Sequence, residues 1–75
     1  MSETDDQWGK RAKRLLRAEM VRRSVTYEDM ARRLTESGIA ETPPNLRNEV
    51  SRGRFTAAFL LPCFDVLGCH QLRLH

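Results

Sequence analysis

Histidine is close to absent from this 75-residue chain, with only His70 and His75, both in the last six residues. A Ser-His-Asp arrangement or a histidine base in a cleft has almost no material to be built from. Neither a glycine-rich phosphate loop nor a carboxylate pair in a plausible cleft makes up for that, so the chain is expected not to be an enzyme. Cysteine is equally sparse: Cys63 and Cys69 are six residues apart on or just after one helix, which does not bring two Cα atoms within disulfide reach. Without paired C-x-x-C knuckles no zinc site is expected, and no metal or cofactor is assigned. Cys63 fits a small core residue better than a ligand. Aromatic residues make up 7% of the chain. Phe55, Phe59 and Phe64 fall at core positions and are not spaced as a platform for stacking bases. No apolar run approaches the ~20 residues of a spanning helix, and MSETDDQW is not a basic-then-apolar leader. A reduced, cytoplasmic protein without a membrane role is expected.

What the chain does have is positive charge in one form. Thirteen lysines and arginines face ten acids, and eleven of the thirteen are arginine. Glu3, Asp5 and Asp6 place three of those acids in the first six residues, so the remaining body is more basic than the net charge of +3 indicates. Arginine makes bidentate contacts with phosphate and guanine, which points to nucleic acid; a basic surface that serves solubility is the competing explanation. At this length one core is the ceiling. Residues 6–75 are expected as a single domain, with the acidic residues 1–5 disordered ahead of it.

Hydrophobic periodicity divides the chain into four helices, and an all-α, compact four-helix domain follows. The first is expected over residues 6–23, with Trp8, Ala12, Leu15, Leu16 and Met20 on its inward face and Lys10, Arg14 and Arg17, with Arg11 beside them, as a basic stripe opposite. Glu19, close to that inward face, needs a cationic partner, expected from the third or fourth segment or from Arg22 or Arg23. The second helix opens with Thr26 as N-cap, Asp29 as capping-box partner and Val25 and Met30 as a staple, then runs through Tyr27, Met30, Ala31 and Leu34 to Gly38. Thr42 caps a third helix that starts at Pro43 and stops at Gly53, with Leu46 and Val50 inward. Thr56 starts the fourth, whose inner row is Leu60, Cys63 or Phe64, and Leu67. Pro62 should kink that helix or shift its start, and should face solvent. Leu72 and Leu74 are expected to brace the tail.

A capped helix, a turn, a short helix with a polar outer face and an arginine-glycine break together form a helix-turn-helix layout. Thr26-Tyr27-Glu28-Asp29-Met30-Ala31 resembles the T-x-E-x-L-A opening of the reading unit in repressors of the lambda and Cro type. Arg52-Gly53 resembles the close of their recognition helix, and Val66-Leu67-Gly68 their last helix. The chain departs from them in a longer link after Leu34, in Pro43 and Pro44, and in Ser51 where they commonly have glutamate. A second resemblance covers nearly the whole chain. Val25-Thr26-Tyr27-Glu28, Asn45-Leu46-Arg47-Asn48 and a core string S-R-G-K/R-F-S/T-A-A-F over residues 51–59 are similar to a family of short, uncharacterised bacterial proteins described only as a domain of unknown function. That family implies no established activity.

The expected function is therefore a small bacterial DNA-binding transcriptional regulator that reads double-stranded DNA with helix 43–53 and acts as a homodimer. Asn45, Asn48 and Arg52 are the candidate base readers, since asparagine pairs with adenine and arginine with guanine. Tyr27, Arg47, Ser51 and Arg54, with Lys10, Arg14 and Arg17 of the first helix, are the candidate phosphate contacts. The competing local roles are capping at Asn45, solvation of Asn48 and an Arg52–Glu49 pair. The alternative function is a protein-docking module, with RNA polymerase or another regulator as partner, using exposed Phe55, Phe59 or Leu61.

Overall fold

The computed structural model describes the backbone of residues 3–74 and their side chains except those of Glu3 and Asp5. Met1 and Ser2, part of the expected disordered start, and His75 lie outside the described residues. Four helices follow in order: α1 (Glu3–Arg22), α2 (Tyr27–Glu36), α3 (Pro43–Arg52) and α4 (Ala57–Leu67). The described residues contain no strand, and no helix among them is long and apolar enough to cross a membrane. Residues 3–5, expected outside the domain, continue α1 as helix.

Each short helix begins where its cap allows. Thr26 Oγ1 accepts the Asp29 amide at 3.1 Å and Asp29 Oδ2 accepts the Thr26 amide at 3.3 Å, so two first-turn donors are satisfied reciprocally. Thr42 caps the Asn45 amide and Thr56 the Phe59 amide. The α1 helix ends without glycine: Ser24 takes φ +55°, and the Val25 amide reaches back to the Met20 carbonyl at 2.9 Å. That closure places Val25 in the core one residue before the next cap. Link 37–42 is held by Ile39 N–H to Leu34 O and by the Thr35 hydroxyl to Glu41 O.

The core draws on all four helices, with Leu16 and Met20 from α1, Met30, Ala31 and Leu34 from α2, Leu46 and Val50 from α3, and Cys63, Phe64 and Leu67 from α4. Removing a leucine side chain of this kind from water contributes about 1.5–3 kcal/mol. The predicted inner face of α1 needs one correction. Trp8 is 54% exposed, its ring lying under the Arg11 guanidinium at 4.8 Å, because at 100° per residue it points well to one side of Gly9, the residue through which α1 meets the α3–α4 turn. Phe55 and Phe59 are half-buried, stacked on each other with centroids 5.3 Å apart, and only Phe64 is fully inside. Pro62 is accommodated within α4 without shifting the start at Thr56, and it is half-buried, not solvent-facing. The tail returns along α1, where Arg11 donates to the Leu74 carbonyl and Leu72 lies over a hollow shared with Leu15 and Glu19.

One contact has no side chain in it. Gly9 of α1 meets the α3–α4 turn so closely that a Cβ on Gly9 would lie 2.1 Å from the carbonyl oxygen of Gly53. Gly53 itself takes φ +65° as the C-cap of α3. Nearby, Lys13 Nζ donates to the Ser51 carbonyl at 3.2 Å, satisfying one of the orphan acceptors at that helix end.

Glu19 finds its partners in its own helix, bridging Arg22 at 3.0 Å and Arg23, so the expected arginine from the third or fourth segment is not used. Partial desolvation opposes ionisation of Glu19, but the Arg23 hydrogen bond and the two guanidinium charges outweigh it and hold the carboxyl below its usual value. Asp29 is lowered by the Thr26 amide and hydroxyl and by Arg32. Groups depressed on folding stabilise the native state fully above their ordinary values of 4.5 and 3.8, and that contribution is lost as pH falls through the lowered folded values. The melting temperature is therefore expected to be flat from neutral pH down to about 5 and to fall below about 4. In Asp29→Asn the acid-side fall should be shallower; a melting temperature already dropping between pH 7 and 5 would contradict this assignment.

Candidate nucleic-acid interface

Two flanks of α3 face outward, and they differ in charge. Asn45, Asn48 and Arg52, the candidate base readers, recur at i, i+3 and i+7 and line one shallow groove with Glu41, Glu49 and Phe59. The structure thus brings these three together. Neither asparagine side-chain amide makes a hydrogen bond among the described residues, and both residues are exposed. Asn45 contributes to the cap only through its backbone. Arg52 is paired with Glu49 at 3.0 Å, and both ends of that pair are solvent-exposed. Such a pair contributes only about 0–1 kcal/mol, so Arg52 is free to exchange its partner.

On the opposite flank the Arg47 guanidinium lies 5.3 Å from the centroid of the Tyr27 ring, linking α3 to the first turn of α2. The Tyr27 ring also borders a hollow lined by Arg17, Met20 and Val21 of α1. The Lys13 ammonium reaches the backbone of Ser51 from the same side of α1. Arg17, Tyr27, Arg47 and Ser51, all expected as phosphate contacts, thus form one arc across three helices. Arg17, Arg47 and Lys13 have no carboxylate partner among the described residues. Lys10 falls on the Lys13 and Arg17 side of α1 at 100° per residue, and Arg14 lies further round; both are exposed. Lys13 was not among the expected contacts. Its signal in the sequence is spacing, three after Lys10 and four before Arg17, which puts it on the shoulder of the stripe.

Arg54 stands apart from both flanks. It is turned toward the start of α1, 3.7 Å from Asp6, beside the cleft of Trp8 and Phe55. Arg32 and Arg33 each have an acid four residues earlier, Glu28 and Asp29, but Arg32 pairs instead with Asp29, three residues back, at 3.1 Å, and Arg33 donates to the Val66 carbonyl and so ties α2 to α4.

Cys63 is sealed from solvent, and burial, with the Glu41 charge adding to it, pushes its thiol up to about 12. Cys63 and Cys69 are both free and buried. No group of three or more His, Cys, Asp or Glu that could hold a metal ion occurs among the described residues.

Neither the curated proteins nor the solved structures searched give a match to this chain. A family model does, over residues 8–72, which takes in α2, α3, α4, most of α1 and the tail to Leu72. The chain belongs to the family described as domain of unknown function (DUF6471).

Proposed function

We propose that this chain is a DNA-binding helix-turn-helix module of the lambda-repressor type, a small cytoplasmic transcriptional regulator in which α3 enters the major groove. The observation that carries this reading is the Arg47–Tyr27 stack: α1 and α3 present cations without carboxylate partners beside the Tyr27 ring of α2, on one flank of the helix that also displays Asn45, Asn48 and Arg52. The arc of Lys10, Lys13, Arg17 and Arg47 meets phosphates and fixes register; the asparagine groove reads base edges. Glu41 and Glu49, in the same groove, suit acceptance of a hydrogen bond from the amino group of cytosine and repel phosphate. One short helix supplies few contacts, so the module works as two copies on adjacent half-sites.

Fluorescence anisotropy of a labelled random duplex tests the electrostatic part. Four neutralised phosphates give a slope of log K against log salt of roughly −3 to −4, an approximately hundredfold loss between about 50 and 200 mM salt. The double variant Lys13→Ala, Arg47→Ala should bind roughly tenfold more weakly at low salt, with a slope shallower by about 2. Arg52→Ala should leave that slope almost unchanged and relax base preference instead. Absence of binding at low salt would overturn the DNA reading in favour of a protein-docking module.

A further inference from the structure

The α4 helix is apolar on both faces. Its eleven residues contain a single charge, Asp65, and while Cys63, Phe64 and Leu67 fill the core, the outward row is Ala57, Ala58, Leu61 and Asp65, all exposed. Leu61 is 63% exposed. A helix that is hydrophobic all round is ordinarily buried all round. The bundle covers only one side of this one, although the exposed faces of α1, α2 and α3 all carry charge.

We infer that the outward face of α4 is the contact surface for a second copy of this chain, packed as an antiparallel, two-fold related α4 pair crossing at Leu61. The charge pattern selects a second copy over an unrelated partner. Ala57 and Asp65 lie one turn either side of Leu61, about 6 Å along the axis. A two-fold axis through Leu61 therefore sets Asp65 against the first turn of α4 in the other copy. That turn has no acidic residue, and its leading N–H groups have no acceptor within the helix. Arg54, two residues ahead of the Thr56 cap, lies at the same end, its charge shared with Asp6 at 3.7 Å. The row is thus complementary to itself when reversed, which is what an isologous contact requires. Alanines at 57 and 58 let the two helix axes approach closely. Phe59, the α4 residue that borders the Asn45 groove, lies on the other side of the helix, so the pairing leaves both α3 surfaces open. The surface argument makes no use of DNA, although it supplies the second copy that the proposed function needs.

Sedimentation equilibrium of the full chain without DNA tests it. The wild type should approach twice its 8.7 kDa mass with rising concentration. Leu61→Asp should raise the dissociation constant at least about tenfold, which corresponds to about 1.4 kcal/mol, with unchanged helical circular dichroism. Val21→Asp, at a residue 78% exposed on α1, should dimerise as the wild type does. Because the native cysteines are buried, Leu61→Cys should give a covalent dimer on mild oxidation and Val21→Cys should not. A wild type monomeric at every concentration, or a Leu61→Asp variant that still dimerises, overturns the inference. A monomer that nonetheless shows the steep salt slope on DNA would defeat this surface and leave the DNA reading standing.

Discussion

Leu46→Ala is expected to cost about 2–5 kcal/mol of stability. A domain of this length has about 4–11 kcal/mol in total, so this one change removes much of the margin. Leu46 has no exposed surface, and it is one of only two fully buried side chains that α3, ten residues long, contributes to the core. The helix cannot collapse into the space left, because two features set its position from outside the core. Pro43 and Pro44 with the Thr42 cap fix its start, and the Gly53 turn, pressed against α1, fixes its end. The cavity therefore persists, and the cost belongs in the upper part of the range. Thermal melting followed by circular dichroism should show a midpoint lowered by at least ~10 °C. Val21→Ala, at an exposed site, should move it hardly at all. A Leu46→Ala midpoint within about 4 °C of wild type, a shift worth no more than ~1 kcal/mol, would mean that α3 is not packed as described.

Gly9→Ala is the second large effect, and its sign is opposite to what helix propensity predicts. Alanine for glycine inside a helix ordinarily stabilises by about 1 kcal/mol. At Gly9 the new methyl would stand 2.1 Å from the Gly53 carbonyl oxygen, a backbone atom with no rotamer to escape into. Either α1 or the α3–α4 turn must shift. Overpacking of this kind costs about 1–3 kcal/mol. The net change should be a fall in midpoint of several degrees, with the Lys13 to Ser51 bond lost as α1 moves away. Gly38→Ala makes an instructive comparison. It meets no neighbouring atom, so its cost comes only from the φ of +99° and should carry no loss of α1 packing. If Gly9→Ala proved as stable as wild type or more so, the close backbone approach would be wrong.

The three short helices were legible because each begins at a cap whose chemistry is local. Thr26 with Asp29, Thr42 before Pro43 and Thr56 name their own first turns, and Gly53 and Gly68 end theirs at positive φ. The buried rows of α2 and α3 followed from spacing alone. What could not be read was set by distant parts of the chain. Trp8 has helical spacing with the core residues of α1, yet it stays half in water, because the residue that meets the neighbouring turn at that level is Gly9. The partner of Arg33, the Val66 carbonyl, depended on how α4 came to lie beside α2. Of the candidate site, the base-reading row was visible as a helical face of α3. The grouping of Arg17, Tyr27 and Arg47 was not, because it requires the packing of three helices. The Ser24 turn gave no signal either, since serine does not advertise a left-handed conformation as glycine does.

The position of Trp8 gives the molecule an optical gauge of one of its halves. It is the only tryptophan in the chain, half in water, with the Arg11 guanidinium over its ring and the Gly9–Gly53 approach immediately beside it. Its emission will register any loosening of α1 from the α3–α4 turn. It will be nearly blind to events at Asn45, which borders a hollow that Trp8 does not reach, or at Arg47, which lies over the Tyr27 ring. Intrinsic fluorescence and backbone circular dichroism thus report on different parts of the same small fold. Superimposed melts from the two signals would identify the α1 junction as part of a single cooperative unit, whereas an earlier fluorescence transition would mark it as the first place the structure opens.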